Sequence, residues 1–341
     1  MPSSIHISFL HPGRPSLVRA FSARFGSRAS AALLVTAVLI APAFLFACSA
    51  SPEERHLQDT CIYITRAGEA AGADLFFFDT NPPYRLDSYT RIYTAEGSHS
   101  CATAGNEAAM VVLLSNVTDD PYTWADIDTY ASLSHKSFLL DDESVAAPRI
   151  SCMTFLEAGW SRACVLSPCT SIVKVRLLDI NCDFSGRPYE GADMENVKVF
   201  LTRACVECQP LRDDRGITWA NPGMVDSVAL ARMKHPEYLY RSIEGPIGPE
   251  TRQCDIDLYT YPNPDDGDNG TRLVIECEIQ GVKCYYPLRL PPLRRNTIYE
   301  ASVQITRMGT PDPDILAENT SASMSMRVIP WEERPTDTVT F

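Results

Sequence analysis

Apolar residues along this chain recur at every second position in short runs, and long amphipathic stretches are scarce. Residues 273–279 and 297–307 show this alternation most clearly, and it is typical of half-buried strands. Asp74–Phe78 and Met110–Leu114 are short, mainly apolar runs that predict buried strands. The spacing over Thr123–Leu133 predicts one short helix. The pattern therefore indicates an all-β or mainly β chain built from antiparallel sandwiches rather than from a parallel α/β sheet.

Glycine and proline divide the predicted strands into two sets. Residues 184–192 contain two Gly and one Pro and lie between the predicted strands Ile172–Ile180 and Val197–Leu201, so they are the candidate linker. We therefore predict an N-terminal β-sandwich domain over residues 60–188 and a C-terminal β-sandwich domain over residues 189–341.

The first 47 residues have the features of a secretion signal. They contain four arginines and no acidic residue, and an apolar run occupies residues 31–47. A transmembrane anchor is the alternative, but a span needs about 20 apolar residues, and this run is shorter and contains Pro42. Cys48 follows a small residue and resembles the acylated cysteine of a bacterial lipobox. We predict a signal peptide over residues 1–47, lipidation at Cys48 and a polar tether over residues 48–59.

Charge and cysteine content narrow the functional classes. Without residues 1–47 the chain keeps 26 Lys and Arg against 43 Asp and Glu, a net charge of −17. This balance argues against a nucleic-acid partner, because phosphate binding needs clustered basic side chains. Of the 12 cysteines, 11 remain besides Cys48. Export permits disulfides, and the odd number leaves at least one thiol unpaired or bonded to another chain.

Motifs for enzymatic or metal chemistry are weak or absent. The sequence has no G-x-S-x-G, H-E-x-x-H or P-loop motif. Cys205 and Cys208 form a CxxC, but no second CxxC completes a zinc site. Residues 265–268 resemble a calcium loop in composition and lack the EF-hand spacing. We expect no catalytic residue, no metal and no cofactor.

Two cysteine pairs leave alternatives open. Cys277 and Cys284 flank a turn at Gln280 and Gly281. A two-residue loop would place the two cysteines opposite each other, whereas a loop with a glycine bulge would not, and then Cys277 is a small core residue. Residues 164 and 169 are also cysteines, which could close a small loop disulfide around a proline.

The order and spacing of five stretches are informative: Met110–Asn116, Tyr285–Pro287, Arg295–Tyr299, Gly309–Pro313 and Val328–Trp331. Together with the lipobox at Cys48, they resemble the fimbrillins, which are the subunits of type V fimbriae of Gram-negative anaerobes. The resemblance covers most of the mature chain and implies two tandem transthyretin-like antiparallel β-sandwich domains.

The resemblance also implies assembly by donor-strand exchange. In that family an arginine-specific protease removes the first strand of a shaft subunit, and the groove left behind accepts a strand from a neighbouring subunit. Here Cys61–Thr65 stands where the removable strand would be, and Arg66 is the candidate cleavage site. The alternative is that Arg66 is an ordinary loop arginine. The candidate donor strand is residues 328–341, and its apolar residues are Val328, Ile329, Trp331, Val339 and Phe341.

We therefore expect a non-enzymatic structural subunit of a cell-surface fimbria that is exported to the outer membrane as a palmitoylated lipoprotein and contributes to adhesion. Its expected partners are other fimbrial subunits, the membrane through the Cys48 lipid, and a host or bacterial surface ligand. Eleven cysteines are many for a shaft subunit, which favours an accessory, tip or anchor role. The alternatives are the membrane anchor of the fimbria, a monomeric lipoprotein that binds glycan or protein, and a secreted enzyme of unrecognised type.

Overall fold

The protein is mainly β, as its alternating pattern predicts. The computed structural model describes residues 57–64, 72–93, 99–105, 107–117, 121–156, 162–209, 211, 231–317 and 321–331. The predicted signal peptide, Cys48 and Arg66 lie outside these residues. Within the described ranges, no helix is both long enough and apolar enough to cross a membrane.

The N-terminal part of the described chain contains two main sheets. The three-stranded sheet consists of β1 (Leu57–Ile64), β4 (His99–Gly105) and β8 (Arg162–Leu166), in the order β4-β1-β8. The five-stranded sheet consists of β2 (Gly72–Asp79), β3 (Leu86–Tyr93), β5 (Ala108–Ser115), β7 (Ile150–Phe155) and β9 (Cys169–Thr170), in the order β3-β2-β5-β7-β9. The predicted helix at Thr123–Leu133 corresponds to a 3-10 turn, Pro121–Trp124, followed by α1 (Tyr130–Ser134).

Two four-stranded sheets make up the C-terminal part. One consists of β10 (Val173–Cys182), β14 (Arg252–Thr260), β17 (Thr297–Ile305) and β18 (Ala322–Pro330), in the order β14-β10-β17-β18. The other consists of β11 (Glu195–Thr202), β13 (Tyr240–Ser242), β15 (Arg272–Ile279) and β16 (Val282–Arg289), in the order β13-β11-β15-β16. A short ladder joins β6 (Phe138–Leu139) to β12 (Glu207–Cys208), and 3-10 turns occur at Leu140–Asp142 and Pro236–Tyr238.

Strand pairing crosses residue 188, where the two predicted domains would meet. β10 precedes that position but pairs with β14 and β17, which follow it. Inward residues of β10 and β11, such as Val175 and Val199, are fully buried in one core. The candidate linker at residues 184–192 is a series of turns between these two strands, and its Phe184 ring packs against Tyr189. The glycines of the segment therefore reverse the chain between two sheets that share a core.

Strand β2 is buried on both faces, which explains its uninterrupted apolar run. Leu75 and Phe77 belong to a core cluster that includes Ile62 of β1. Phe76 lies on the other face and contacts the Trp124 ring edge-on, with 5.3 Å between centroids. A strand enclosed in this way cannot alternate apolar and polar residues, because neither face meets water.

The exception within β2 is Asp74, a carboxylate that is only 1% exposed. Tyr89 Oη donates to its Oδ1 at 2.6 Å, and Arg91 donates through Nε and Nη2 at 2.9 Å. Trp124 Nε1 donates to its Oδ2 at 3.0 Å. Burying a charge is tolerated only when it is paired and hydrogen-bonded, and here one carboxylate joins β2, β3 and the 3-10 turn.

The β15–β16 hairpin closes through a two-residue turn. Gln280 has φ of 50° and Gly281 has φ of 75°, and the flanking residues Ile279 and Val282 are paired. The two-residue alternative therefore applies, and Cys277 stands directly opposite Cys284. Positive φ at the glutamine costs more than at glycine, which is why the sequence left this turn undecided.

Gly309 allows the loop after β17 to dock on β16. Tyr285 and Thr310 exchange two backbone hydrogen bonds at 2.8 and 2.9 Å. A Cβ atom at position 309 would lie far inside van der Waals contact with the Tyr285 carbonyl oxygen.

Replacement of this glycine should release the loop. We expect Gly309→Ala to lower the free energy of unfolding by about 1–3 kcal/mol. The added methyl group would push the loop backbone away from Tyr285 and strain the two backbone hydrogen bonds between Tyr285 and Thr310. Urea denaturation measures the change. Gly72→Ala is the matched control, since its added Cβ would meet Arg91 and Tyr93 side-chain atoms at an ordinary 3.4 Å. Equal stabilities of the two variants would contradict the assignment.

Candidate strand-exchange site

Strand β1 is the central strand of its sheet. It pairs antiparallel with β4 and parallel with β8, so that Thr60 lies opposite both Ala102 and Arg162. A central strand makes backbone hydrogen bonds along both edges. Its departure would therefore leave two strand edges, β4 and β8, facing a vacant groove.

The floor of this groove is apolar. Ile62 is 0% exposed and belongs to the cluster that contains Leu75, Phe77 and Leu113. Thr60, two positions earlier on the same face, is also 0% exposed. Any strand that replaced β1 would bury its alternate side chains at these two positions.

Thr60 is a poor fit for its position. Its hydroxyl has no hydrogen-bond partner among the described residues, although it is fully buried. A buried and unsatisfied polar group costs free energy that an apolar group of similar shape avoids. An apolar residue of similar shape at this position would avoid that cost.

We expect Thr60→Val to stabilise the intact chain by about 1 kcal/mol, because it removes the unsatisfied hydroxyl and keeps the branched shape. Urea denaturation compares it with wild type. Thr170→Val is the control, since the Thr170 hydroxyl is buried but accepts the Ile172 N–H at 3.3 Å, and this variant should lose stability. If both substitutions destabilised the protein, the Thr60 hydroxyl would not be an unsatisfied group that costs stability.

The predicted donor residues are divided by the structure. Val328 and Ile329 lie in β18, opposite Tyr299 and Ile298 of β17. The Trp331 N–H donates to the Asn296 carbonyl at 3.0 Å. The other two predicted donor residues, at positions 339 and 341, lie outside the described residues.

β18 is an edge strand whose inward side becomes more exposed toward its C-terminal end. Ala322 is 4% exposed, whereas Val328 is 53% exposed. The Lys174 ammonium lies 4.6 Å from the centroid of the Trp331 ring, which fastens the end of the strand to β10.

A row of alternating charges crosses the outer face of this sheet. Arg176 donates to Asp257 at 2.6 and 3.0 Å, and Arg327 of β18 donates to Glu300 at 2.9 Å. Burial tends to raise the pKa of Asp257, but its hydrogen bonds and the charges of Arg176 and Lys174 outweigh burial and lower it. The Arg327–Glu300 pair supports the register of β18 with β17, and the Arg176–Asp257 pair supports that of β10 with β14.

The CxxC has no features of a reactive site. Cys205 and Cys208 are each 1% exposed, and burial raises the pKa of Cys205 to about 12. A thiol that stays protonated at neutral pH is a poor nucleophile and metal ligand. Among the described residues, no group of three or more His, Cys, Asp or Glu could hold a metal ion. In the acidic loop at residues 265–268, Asp265 accepts the Gly267 N–H at 2.7 Å and so stabilises a turn.

The sequence pattern missed two parts of this site. It identified β1, but β8 became visible as its parallel neighbour only in the structure, because about a hundred residues separate the two strands. The burial of Thr60 was also missed, since a threonine beside a cysteine gives no apolar signal. The alternation through Ile62 was the available signal for an inward face.

Comparisons with known proteins place the fold. No protein-family model matches the sequence, and no curated protein sequence matches it. A Bacteroides eggerthii structure assigned a cell-adhesion role has a TM-score of 0.62 at 14% identity, covering 80% of this chain and 96% of its own. A Parabacteroides distasonis structure with the same assignment has a TM-score of 0.60 at 13% identity, covering 80% and 96%.

A fimbrilin from Porphyromonas gingivalis is also similar, with a TM-score of 0.53 at 10% identity, covering 80% of this chain and 97% of that one. At these identities the likeness establishes the fold. The chain therefore has the fold of fimbrial and adhesion-assigned proteins, in agreement with the resemblance in its sequence.

Proposed function

We propose that this protein is a non-enzymatic structural subunit of a cell-surface fimbria, exported as a lipoprotein through Cys48 and assembled by donor-strand exchange. Its partners are other fimbrial subunits, the membrane through the lipid, and a host or bacterial surface ligand. The fold of a fimbrilin and of adhesion-assigned proteins supports the fimbrial role. No binding to nucleic acid is expected of a chain with this negative charge.

The observation that carries the proposal is the position of β1. It is the first described strand, it lies between two other strands, and its inward residues Thr60 and Ile62 are fully buried. Arg66 follows it by two residues in the sequence. Cleavage there would separate β1 from the rest of the chain, and the exposed edges and apolar floor would then bind an extended strand by β-augmentation.

The donor in this proposal is the segment that begins at the end of β18. Val328 and Ile329 already pair with β17, so they can be donated only if that ladder opens. Val339 and Phe341 follow β18 in the sequence and lie outside the described residues. The proposed donor keeps all five residues, and Val328–Trp331 contributes to it only when β18 separates from β17.

Arg66→Ala should abolish polymer formation. We expect wild-type protein from the cell surface, assembled in the presence of reductant, to give ladders that resist mild SDS and to begin at Ala67, whereas the variant remains monomeric under the same conditions and keeps an acylated Cys48. Gel electrophoresis and N-terminal mapping by mass spectrometry measure the two outcomes. Ladders from the uncleaved variant would contradict cleavage-dependent exchange.

Two control variants sharpen this experiment. Arg66→Lys keeps the positive charge but removes the arginine that the protease would recognise, so it should behave like Arg66→Ala. Arg232→Ala removes an exposed arginine elsewhere in the chain and should polymerise like wild type. Wild-type surface material with an intact lipidated N-terminus and no ladder would instead indicate the anchor subunit or a monomeric binding lipoprotein.

A further inference from the structure

Cys277 and Cys284 meet inside the C-terminal sandwich. They are directly opposite in the β15–β16 ladder, and their Sγ atoms are 3.6 Å apart. The two residues are 0% and 2% exposed, so each thiol is shielded from solvent and contacts the other. Directly opposite residues of an antiparallel pair have Cα atoms about 4.5–5.5 Å apart, which is within the range that a disulfide bridges.

We propose that Cys277 and Cys284 form a cross-strand disulfide in the exported protein. Two thiols lose two protons and two electrons as the Sγ–Sγ bond forms. These reduce the disulfide of a thiol–disulfide oxidoreductase of the cell envelope to its dithiol, so the exchange is balanced. The bond would fasten the hairpin whose strand β16 carries the docked loop at Thr310.

Trypsin separates these cysteines, because Lys283 lies between them. Full-length protein recovered from the envelope is denatured with N-ethylmaleimide to block free thiols and then digested without reductant. We expect peptide 273–283 joined to peptide 284–289. Cys182→Ser, a buried cysteine that donates to the Ile247 carbonyl, should leave this product unchanged. Maleimide on both Cys277 and Cys284, or a bond from either of them to another cysteine, would overturn the proposal.

The same relation occurs at the candidate strand-exchange site. The backbone register places Cys61 of β1 directly opposite Cys101 of β4. Opposite residues of an antiparallel ladder have Cα atoms about 4.5–5.5 Å apart, within the range that a disulfide bridges. The consequence differs from that of the first pair, because here one of the two strands is the one that strand exchange would remove.

From this register we infer that Cys61 and Cys101 form a second disulfide, by the same exchange with an envelope oxidoreductase, and that it fastens β1 to β4. This inference rests on the proposed function for its consequence. Cleavage after Arg66 would cut the chain without releasing β1, and the groove would open only after reduction. The subunit would then accept a donor strand only after this disulfide is reduced. Such a requirement fits a terminal or accessory subunit better than a shaft subunit.

Peptide mapping tests the bond independently of polymerisation. Trypsin places Cys61 on peptide 56–66 and Cys101 on peptide 92–136. We expect these two peptides to be joined before reduction and separate after it. In protein cleaved after Arg66, the fragment 48–66 should stay with the body on a denaturing gel until reductant is added. Alkylation of both cysteines without reduction would overturn the inference, whether or not the protein polymerises.

Polymerisation tests the consequence. Cleaved wild-type protein should form SDS-resistant ladders only with reductant, whereas cleaved Cys61→Ser should form them without it. Cys254→Ser, on β14, is the control and should behave like wild type. Ladders from unreduced wild type would overturn the fastening of β1. If the linked peptides are found but no variant forms ladders under any condition, the bond stands and the proposed strand-exchange function fails.

Discussion

Asp74→Ala should lower the free energy of unfolding by about 3–5 kcal/mol, because it removes one member of a buried ion pair and leaves the other uncompensated. The Arg91 side chain is only 13% exposed, so water cannot replace the lost carboxylate. The buried Trp124 Nε1 would lose its acceptor as well. Urea denaturation with fluorescence detection measures the loss.

A matched exposed ion pair provides the control for Asp74. Asp126 accepts Lys136 Nζ at 2.8 Å, and its side chain is 67% exposed. Asp126→Ala should leave the denaturation midpoint unchanged, since water and salt screen an exposed pair. Asp74→Asn keeps the shape of the side chain and removes its charge, so it should also destabilise. If Asp74→Ala lowered the free energy of unfolding no more than Asp126→Ala does, the Asp74 carboxylate would not stabilise the fold.

Ile62→Ala should cost about 2–5 kcal/mol in the uncleaved chain, because it opens a cavity where a fully buried β-branched side chain packs between two sheets. The same substitution should speed the departure of β1 after cleavage at Arg66. Denaturation of intact protein gives the first effect. The rate at which the fragment 48–66 dissociates from cleaved protein, with reductant present, gives the second.

The control for Ile62 lies on the neighbouring strand. Val165 of β8 is 58% exposed and stands opposite Tyr63 of β1. Val165→Ala should change neither the stability nor the dissociation rate, because little apolar area is removed from contact. If Ile62→Ala destabilised the chain without affecting dissociation, the groove floor would contribute to the fold but not to the retention of β1.

These two predictions test different layers of the N-terminal part. Asp74 lies on the side of β2 that faces Trp124, whereas Ile62 packs on the side that carries Phe77. Strand exchange would disturb the second side and leave the first intact. We therefore expect a subunit that has lost β1 to keep the Asp74 network and to remain folded enough to accept a new strand.

Local patterns identified several of the longer strands correctly. The period of two at residues 273–279 and 297–307 predicts one buried face for each strand, and β15 and β17 show this alternation from Ile275 and Ala301 onward. The run Phe76–Phe78 indicated a buried strand, because a sheet covered on both sides requires apolar residues at consecutive positions. Signals of this kind lie within a few residues of one another, so no knowledge of distant contacts is needed.

These local patterns could not predict which strands pair with each other when the strands are far apart in the sequence. β10 precedes the turns at 184–192 but joins β14 and β17, and β8 reaches β1 in parallel. Many strands have similar apolar edges and could pair with one another. The pairing that forms is the one whose side chains pack best with the rest of the fold. The conformation of the Gln280 turn also depends on strand pairing, because the pairing of β15 with β16 imposes a positive φ on this glutamine.

The candidate site shows the same division between local and distant information. Composition and local order alone supported the mainly β class, the prediction of a secretion signal and the first strand followed in sequence by Arg66. Tertiary contacts established that β1 is central, that Thr60 is buried without a partner, and that Val328 and Ile329 are already paired. The physical reason is range: periodicity and charge act along the chain, whereas burial and strand pairing arise only when residues far apart in sequence come together.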